Sequence, residues 1–141
     1  MAKIEMVIDS IRFALAGYHR VVILKEKDGE RYLPMRFGET EADAIGAALL
    51  KVRFSEPYMW NTLGAITSKL GADLRYVVID ESKENTLQAK AILEREGFIE
   101  VSCTPSDALV GAVRAEVPIF VDGVILTKSG ITPGEHYPVV T

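Results

Sequence analysis

Three side chains in the first half of the chain are candidates for acid–base or metal chemistry: His19, Glu39 and Glu41. His19 opens a strongly apolar run, and histidine is the residue most ready to move a proton near neutral pH. The two glutamates stand where a helix is predicted to begin. Mg²⁺ or Mn²⁺ is typically held by one or two carboxylates together with the oxygens of a bound phosphate. These residue types could support metal-assisted chemistry on a phosphate group, with His19 as the proton-transfer residue.

Each of these residues also has a purely structural interpretation. A histidine at the end of a strand often bonds to a backbone carbonyl, and acidic residues in a first helical turn are favoured by the helix dipole. Asp43 and Asp107 each lie three residues after a threonine, Thr40 and Thr104. This spacing predicts two capping boxes, with Asp in place of the usual Glu or Gln. We therefore interpret these four residues as helix caps.

Basic residues near the candidates could bind a substrate phosphate. We predict this role for Arg20, Lys25 and Arg36, with solvated strand faces as the alternative. Sixteen basic against twenty acidic residues give a net charge of −4. Sequence-independent nucleic-acid binders normally carry a basic surplus, so nucleic acid is expected only as a transient substrate. The sequence has no P-loop, GxGxxG or HExxH motif.

A repeated segment predicts the arrangement of the elements that carry these residues. Residues 40–49 align without a gap to residues 104–113, at a constant offset of 64. Each copy follows a strand-like run and begins a helix. We therefore predict a single α+β domain over residues 1–130, in which a strand–hairpin–helix unit is duplicated and a mixed or antiparallel sheet packs against helices. The halves are about 3–55 and 56–121, and 131–141 is a tail.

Apolar periodicity predicts the individual elements. Residues 3–15 alternate with a break near Asp9 and Ser10, which indicates a bulged strand. Residues 21–24 are continuously apolar, as expected of a strand buried on both faces, and Pro34 favours an edge for the return strand. Further strands are predicted at 73–79, 87–93, 98–103 and 117–121, with 75–79 corresponding to 19–23. Helices are predicted at 41–52, 58–70 and 105–116, and a final turn at 122–123.

The composition predicts a cytoplasmic protein with no membrane span. Cys103 is the only cysteine, so no intramolecular disulfide can form. Charged residues interrupt the apolar residues at the start of the sequence, and no apolar run approaches the roughly 18 residues that a membrane span needs. Large apolar residues at the start of the second helix, Tyr58, Met59 and Trp60, predict a contact surface. We expect a homo-oligomer, most simply a dimer.

Several runs together are similar to the bifunctional nuclease domain family. They are YHRVVILKE at 18–26, DGERYLPM at 28–35, PSDA at 105–108 and PIFV at 118–121. The resemblance covers nearly the whole chain. It implies a single α+β domain with an internal duplication, oligomeric assembly and, for plant members, nuclease activity on DNA and RNA.

Two hypotheses from different classes follow. The first is a phosphodiesterase in which a divalent ion on Glu39 and Glu41 polarises the phosphate and His19 handles a proton. The second is a non-catalytic binding or assembly module, favoured by the acidic balance and by two departures from the family pattern. One is Met59-Trp60-Asn61 in place of Thr-His-Asp, and the other is Thr104 in place of Arg.

Overall fold

The computed structural model describes residues 2–13, 19–51 and 59–132, and of residues 59–62 it describes the backbone only. Within this part, seven strands form one mixed sheet in the order β3-β2-β1-β7-β4-β5-β6, accompanied by four helices. The first half contains β1 (Lys3–Phe13), β2 (Arg20–Glu26), β3 (Tyr32–Phe37) and α1 (Glu39–Leu49). The rest contains α2 (Met59–Lys69), β4 (Asp73–Glu81), β5 (Leu87–Glu94), β6 (Phe98–Cys103), α3 (Pro105–Ala115), β7 (Ile119–Asp122) and α4 (Gly123–Ser129).

Two antiparallel meanders, each followed by a helix, flank the last strand. β1, β2 and β3 pair in sequence before α1, and β4, β5 and β6 pair in sequence before α3. β7 lies between them, antiparallel to β1 and parallel to β4. The predicted correspondence of residues 75–79 to residues 19–23 is therefore wrong. β1 and β4 are the strands of the two meanders that pair with β7, and they occupy corresponding places. β2 is the middle strand of the first meander, so β4 does not correspond to it. That the halves superpose as duplicated units stays a prediction.

The hydrophobic core lies between one face of the sheet and the helices. α1 and α3 pack against each other, α3 covers β4 and β5, and α1 contacts β2. Small residues, Ala48 and Ala112, are among the buried positions on the two helices. Burying apolar surface is the main favourable term in folding. The core therefore fixes the two helices side by side across the two meanders.

Strand-level predictions of the sequence are confirmed. The register of β1 against β2 shifts between Ile8 and Ser10, which is the predicted break. Val21, Val22, Ile23 and Leu24 are all buried. β3, which contains Pro34, is an edge strand of the sheet. Proline cannot donate a ladder hydrogen bond, so this position costs the sheet least.

The predicted cap of α1 at Thr40 is wrong. The N-cap is Gly38, and the Glu41 carboxylate accepts a hydrogen bond from the Gly38 amide at 3.1 Å. This is half of a capping box, because glycine has no side chain to supply the other half. Thr40 therefore lies inside the first turn, and Asp43 lies beyond it, exposed.

The cap of α3 lies where the sequence pattern places it. Thr104 is the N-cap, and its hydroxyl accepts a hydrogen bond from the Asp107 amide at 3.2 Å. Asp107 is the third residue of α3 and contributes its backbone to this bond. The residue at the same place in α1 is Glu41 rather than Asp43. The predicted equivalence of Asp43 and Asp107 is thus wrong, because α1 begins two residues earlier than the repeat indicates.

The predicted final turn at residues 122–123 is instead the start of α4. Asp122 is its N-cap, with a carboxylate oxygen that accepts a hydrogen bond from the Val124 amide at 3.0 Å. After α4, Ile131 forms an isolated antiparallel bridge with Tyr32 at the start of β3. The predicted tail therefore begins with a residue that is bonded to the sheet.

α2 stands apart from the core and exposes an apolar stripe. Leu63, Ile66 and Leu70 are exposed and recur at helical spacing along one side. Tyr58 and the side chains of Met59 and Trp60, which the sequence assigns to an interface, lie outside the described residues. None of the helices in the described ranges is long and apolar enough to cross a membrane.

Candidate active site at the helix N-termini

His19 and Arg20 lie at the end of the sheet where α1 begins. Arg20, the first residue of β2, pairs in register with Phe37, the last residue of β3. The chain leaves β3 at this point and enters α1 through Gly38. The hairpin register therefore brings the predicted proton-transfer residue, His19, to the same end as the glutamates of the first helical turn. His19 is exposed there.

The Arg20 side chain is held by three contacts. Its guanidinium lies 3.6 Å from a Glu39 carboxylate oxygen and 4.4 Å from the centre of the Phe13 ring. It also donates a hydrogen bond to the His19 carbonyl oxygen at 3.3 Å. Only 16% of the side chain is exposed. A guanidinium fixed in this way is suited to a phosphate, because arginine binds phosphate oxygens with directed hydrogen bonds.

Glu41 joins the N-termini of α1 and α3. While one carboxylate oxygen accepts the hydrogen bond of the Gly38 amide, the other accepts one from the Ser106 hydroxyl at 3.1 Å. The Ser106 hydroxyl also lies 3.3 Å from the Thr104 hydroxyl. Ser106 is 6% exposed and is the buried polar residue of the described core. A buried hydroxyl needs a hydrogen-bond partner, and Glu41 satisfies it across the helix pair.

Two helix N-termini therefore meet at one corner of the domain. Each contributes a partial positive charge and free backbone amides, which favour an anionic ligand. Arg20 adds a full positive charge, and the two carboxylates of Glu39 and Glu41 bring the formal sum of these charges to about zero. We call the set His19, Arg20, Glu39, Glu41 and Ser106 the helix corner.

Ser106 is the member of the helix corner that sequence reasoning missed. It lies between Thr104 and Asp107. The capping pattern assigned a role to both of these residues and none to the serine. The available signal was its place on the buried side of the helix. A serine two residues after an N-cap, within an apolar stripe, needs a polar partner from another element.

Cys103 lies next to the helix corner but is not a nucleophile. Burial raises the pKa of its thiol, and the nearby Asp107 carboxylate raises it further. The thiolate is the reactive form of cysteine. At neutral pH Cys103 is therefore a protonated, weakly polar side chain.

Two predicted substrate-binding residues do not join the helix corner. The Lys25 ammonium donates hydrogen bonds to the carbonyl oxygens of Glu26 and Gly29, at 3.1 and 2.8 Å, and so closes the hairpin at the opposite end of β2. Arg36 is exposed on β3, next to the buried Phe37. Since neighbouring strand residues point to opposite faces, Arg36 projects from the sheet face away from the helices. Lys25 therefore lies at the other end of β2 from Arg20, and Arg36 lies on the opposite face of the sheet from Arg20.

The donor set at the helix corner does not form a complete metal cage. Within the described ranges, no group of three or more His, Cys, Asp or Glu residues is arranged to hold an ion. Glu39 and Glu41 are both engaged, one with Arg20 and the other with Gly38 and Ser106. A divalent ion would take at most these two carboxylates from the chain and would draw its other ligands from water or a phosphate substrate.

The fold and the helix corner define an α+β domain with a cluster of charged and polar side chains at paired helix N-termini. A model of the bifunctional nuclease domain matches residues 22–133, and the chain belongs to this family.

The chain is 33% identical over 127 residues to an uncharacterized protein of Mycobacterium tuberculosis, across 90% of this chain and 76% of that protein. It is also 31% identical over 137 residues to bifunctional nuclease 1 of Oryza sativa subsp. japonica. With bifunctional nuclease 1 of Arabidopsis thaliana the identity is 26% over 118 residues. The chain spans 41% of the rice protein and 36% of the Arabidopsis protein.

Proposed function

We propose that this domain hydrolyses phosphodiester bonds in DNA or RNA at the helix corner. The family and the names of its plant relatives support the reaction class. One structural observation carries the location. The Arg20–Glu39 ion pair and the Glu41–Ser106 hydrogen bond gather a cation and two carboxylates at two helix N-termini, and His19 immediately precedes Arg20.

The residues of the helix corner divide the chemistry between them. Arg20 and the helix N-termini bind the phosphate and offset the charge that develops on its oxygens. His19, which is exposed at the same end of the sheet, accepts the proton of the attacking water. Mg²⁺ or Mn²⁺, bound through Glu39 and Glu41, would polarise the phosphate. The substrate is held transiently, as the net charge of −4 disfavours tight nucleic-acid storage.

Incubation of the purified protein with labelled single-stranded DNA and RNA tests this function. Parallel reactions contain Mg²⁺, Mn²⁺ or EDTA. We expect cleavage with one of the ions and its loss in EDTA. Cleavage that persists in EDTA removes the metal from the proposal and leaves His19 and Arg20. Intact substrate under every condition contradicts the nuclease function.

A non-catalytic assembly module is the second candidate. It is favoured by the engagement of Glu41 in two structural hydrogen bonds and by the exposed apolar stripe of α2. We propose a homodimer in either case. In this second function the same reactions yield no product, while light scattering gives a mass above that of one chain. A Trp60→Ala variant that assembles as tightly as the wild type would remove Trp60 from the interface.

A further inference from the structure

β6 is an edge strand without the usual protection against pairing with another chain. It ends the sheet order, so one row of its backbone N–H and C=O groups has no strand partner among the described residues. The other edge, β3, contains Pro34 and is bridged by Ile131. The β6 sequence FIEVSC has no proline and no lysine, and its register against β5 runs without a bulge. Natural proteins protect exposed edges by such devices, and of these β6 has only one charged side chain, Glu100.

The side chains of β6 are also unusually apolar for an exposed strand. Phe98 is 67% exposed, Ile99 45% and Val101 47%. Ile99, Val101 and Cys103 share one face, because they pair with alternate residues of β5, ending at the buried Ala89. The core face of the sheet thus continues to the edge, where Ile99 and Val101 are partly exposed.

We propose that β6 pairs antiparallel with β6 of a second copy, which joins two seven-stranded sheets across a twofold axis. The strand is self-complementary in one register. With Val101 opposite itself, Ile99 lies opposite Cys103 on the core face, and Glu100 lies opposite Ser102 on the other. Moving the axis to residue 100 places Glu100 against Glu100, and directly opposed like charges are destabilising. Moving it to residue 99 shortens the pairing, because the turn at Gly97 follows.

α2 adds apolar surface at the same end of the sheet. Asp73, which follows α2, pairs with Glu94, and Glu94 pairs with Phe98. The chain therefore leaves α2 within two strand spacings of the edge, or about 10 Å. A stable interface buries roughly 1,200–2,000 Å² in total, which a short strand alone does not supply. The exposed stripe of Leu63, Ile66 and Leu70 extends the surface that a second copy can cover.

In this register each helix corner borders the second copy. Thr104 follows β6 directly and contacts Ser106. The residue opposite Thr104 is Phe98 of the second copy. Assembly would therefore place an exposed aromatic ring next to the α3 N-terminus. This arrangement follows from the pairing and does not depend on the proposed nuclease activity.

Disulfide cross-linking tests the register directly. In a Cys103→Ser background, Val101→Cys faces its own copy across the axis. Directly opposed strand residues have Cα atoms about 4.5–5.5 Å apart, which is within the range that a disulfide spans. We expect a covalent dimer on mild oxidation of this variant. The matched control is Val124→Cys in the same background, an exposed position on α4, and it should remain monomeric on a non-reducing gel. A dimer formed by Glu100→Cys and not by Val101→Cys contradicts the proposed register.

Light scattering and a charge substitution test the assembly itself. The wild type should have twice the 15.5 kDa mass of the chain at micromolar concentration. Val101→Lys opposes two ammonium groups across the axis and should weaken dimerisation by about tenfold or more, with an unchanged circular dichroism spectrum. Val124→Lys should dimerise as the wild type does. A monomeric wild type, or a folded Val101→Lys variant that dimerises normally, overturns the proposal.

Discussion

Glu26 closes the β2–β3 hairpin with both oxygens of its carboxylate. One oxygen accepts hydrogen bonds from the Arg31 amide and Nε at 3.0 and 2.8 Å, and the other lies 3.3 Å from a terminal nitrogen of the same guanidinium. The Arg31 hydrogen bond lowers the pKa of Glu26, and burial opposes this shift only in part. A Cβ on Gly29 would come within 2.7 Å of the carboxylate. Glycine at this position therefore leaves room for the ion pair.

The lowered pKa of Glu26 predicts a pH-dependent contribution to stability. A carboxyl with a depressed folded-state pKa stabilises the fold above its unfolded pKa of 4.5 and loses this effect as the pH falls through the folded value. Glu26→Gln should therefore lower the free energy of unfolding by about 1 kcal/mol at pH 7, and the difference should shrink below pH 4.5. Urea denaturation at pH 7 and at a pH below 4.5 measures this difference in the free energy of unfolding. Glu30→Gln, in the same turn, is the control and should show no such trend.

Thr104 provides a second prediction at the residue scale. Its hydroxyl caps α3 through the Asp107 amide, so Thr104→Ala should cost about 0.5–2 kcal/mol in thermal or urea unfolding. Thr104→Ser keeps the hydroxyl and should recover most of this stability. Asp107→Ala removes only a favourable charge in the first turn, worth about 0.3–1 kcal/mol. A larger loss for Asp107→Ala than for Thr104→Ala would contradict this assignment of the cap.

At the scale of elements, the strands could be predicted from the sequence and two helix starts could not. Alternation predicted β5 at residues 87–93, where the structure has Leu87–Glu94, because a half-exposed strand shows its period in the residues themselves. The start of α1 depends instead on a contact between distant residues. Thr40 is the better cap by residue type, but the bond from Ser106 holds Glu41 where it can reach back to Gly38.

The start of α4 was missed for a similar reason. Asp-Gly between apolar runs is a strong turn signal, yet here Asp122 caps a helix. The Gly123 amide donates to the Ala2 carbonyl oxygen at 2.8 Å, and a Cβ on Gly123 would lie 3.1 Å from the same oxygen. The contact with Ala2, which precedes β1, thus favours a helix over a turn at this position. No local sequence pattern shows this contact.

The contact between α1 and α3 predicts measurable coupling. Glu41→Gln and Ser106→Ala each remove part of one hydrogen bond across the helix pair. Their effects on the free energy of unfolding should not add, with an interaction energy of about 1 kcal/mol in a double-mutant cycle. Asp43→Asn with Ser106→Ala is the control pair, since Asp43 is exposed beyond the first turn. Additive effects of Glu41→Gln and Ser106→Ala would mean that the two helix N-termini are not energetically linked.

At the scale of the whole molecule, β7 joins the two meanders. It pairs with β1 on one side and β4 on the other, although it follows both in the chain. The repeat predicted two units, but a strand inserted between them from the end of the chain leaves no local signal. The placement of His19 and Glu39 at one end of the sheet could be predicted, because the register of the β2–β3 hairpin decides it. The role of Ser106 could not be predicted, because it depends on the packing of α3 against α1, and the sequence did not show that Lys25 closes the hairpin at the other end of β2.

The two histidines of the chain permit the most direct test of catalysis at the helix corner. In the nuclease assay with labelled single-stranded DNA and RNA, His19→Ala should lower the cleavage rate by about 100-fold or more, the scale of general acid–base catalysis. His136→Ala is the matched control and should cleave as the wild type does. Equal circular dichroism spectra and melting temperatures confirm that both variants are folded. A folded His19→Ala variant that cleaves at the wild-type rate would contradict the assignment of the active site to the helix corner.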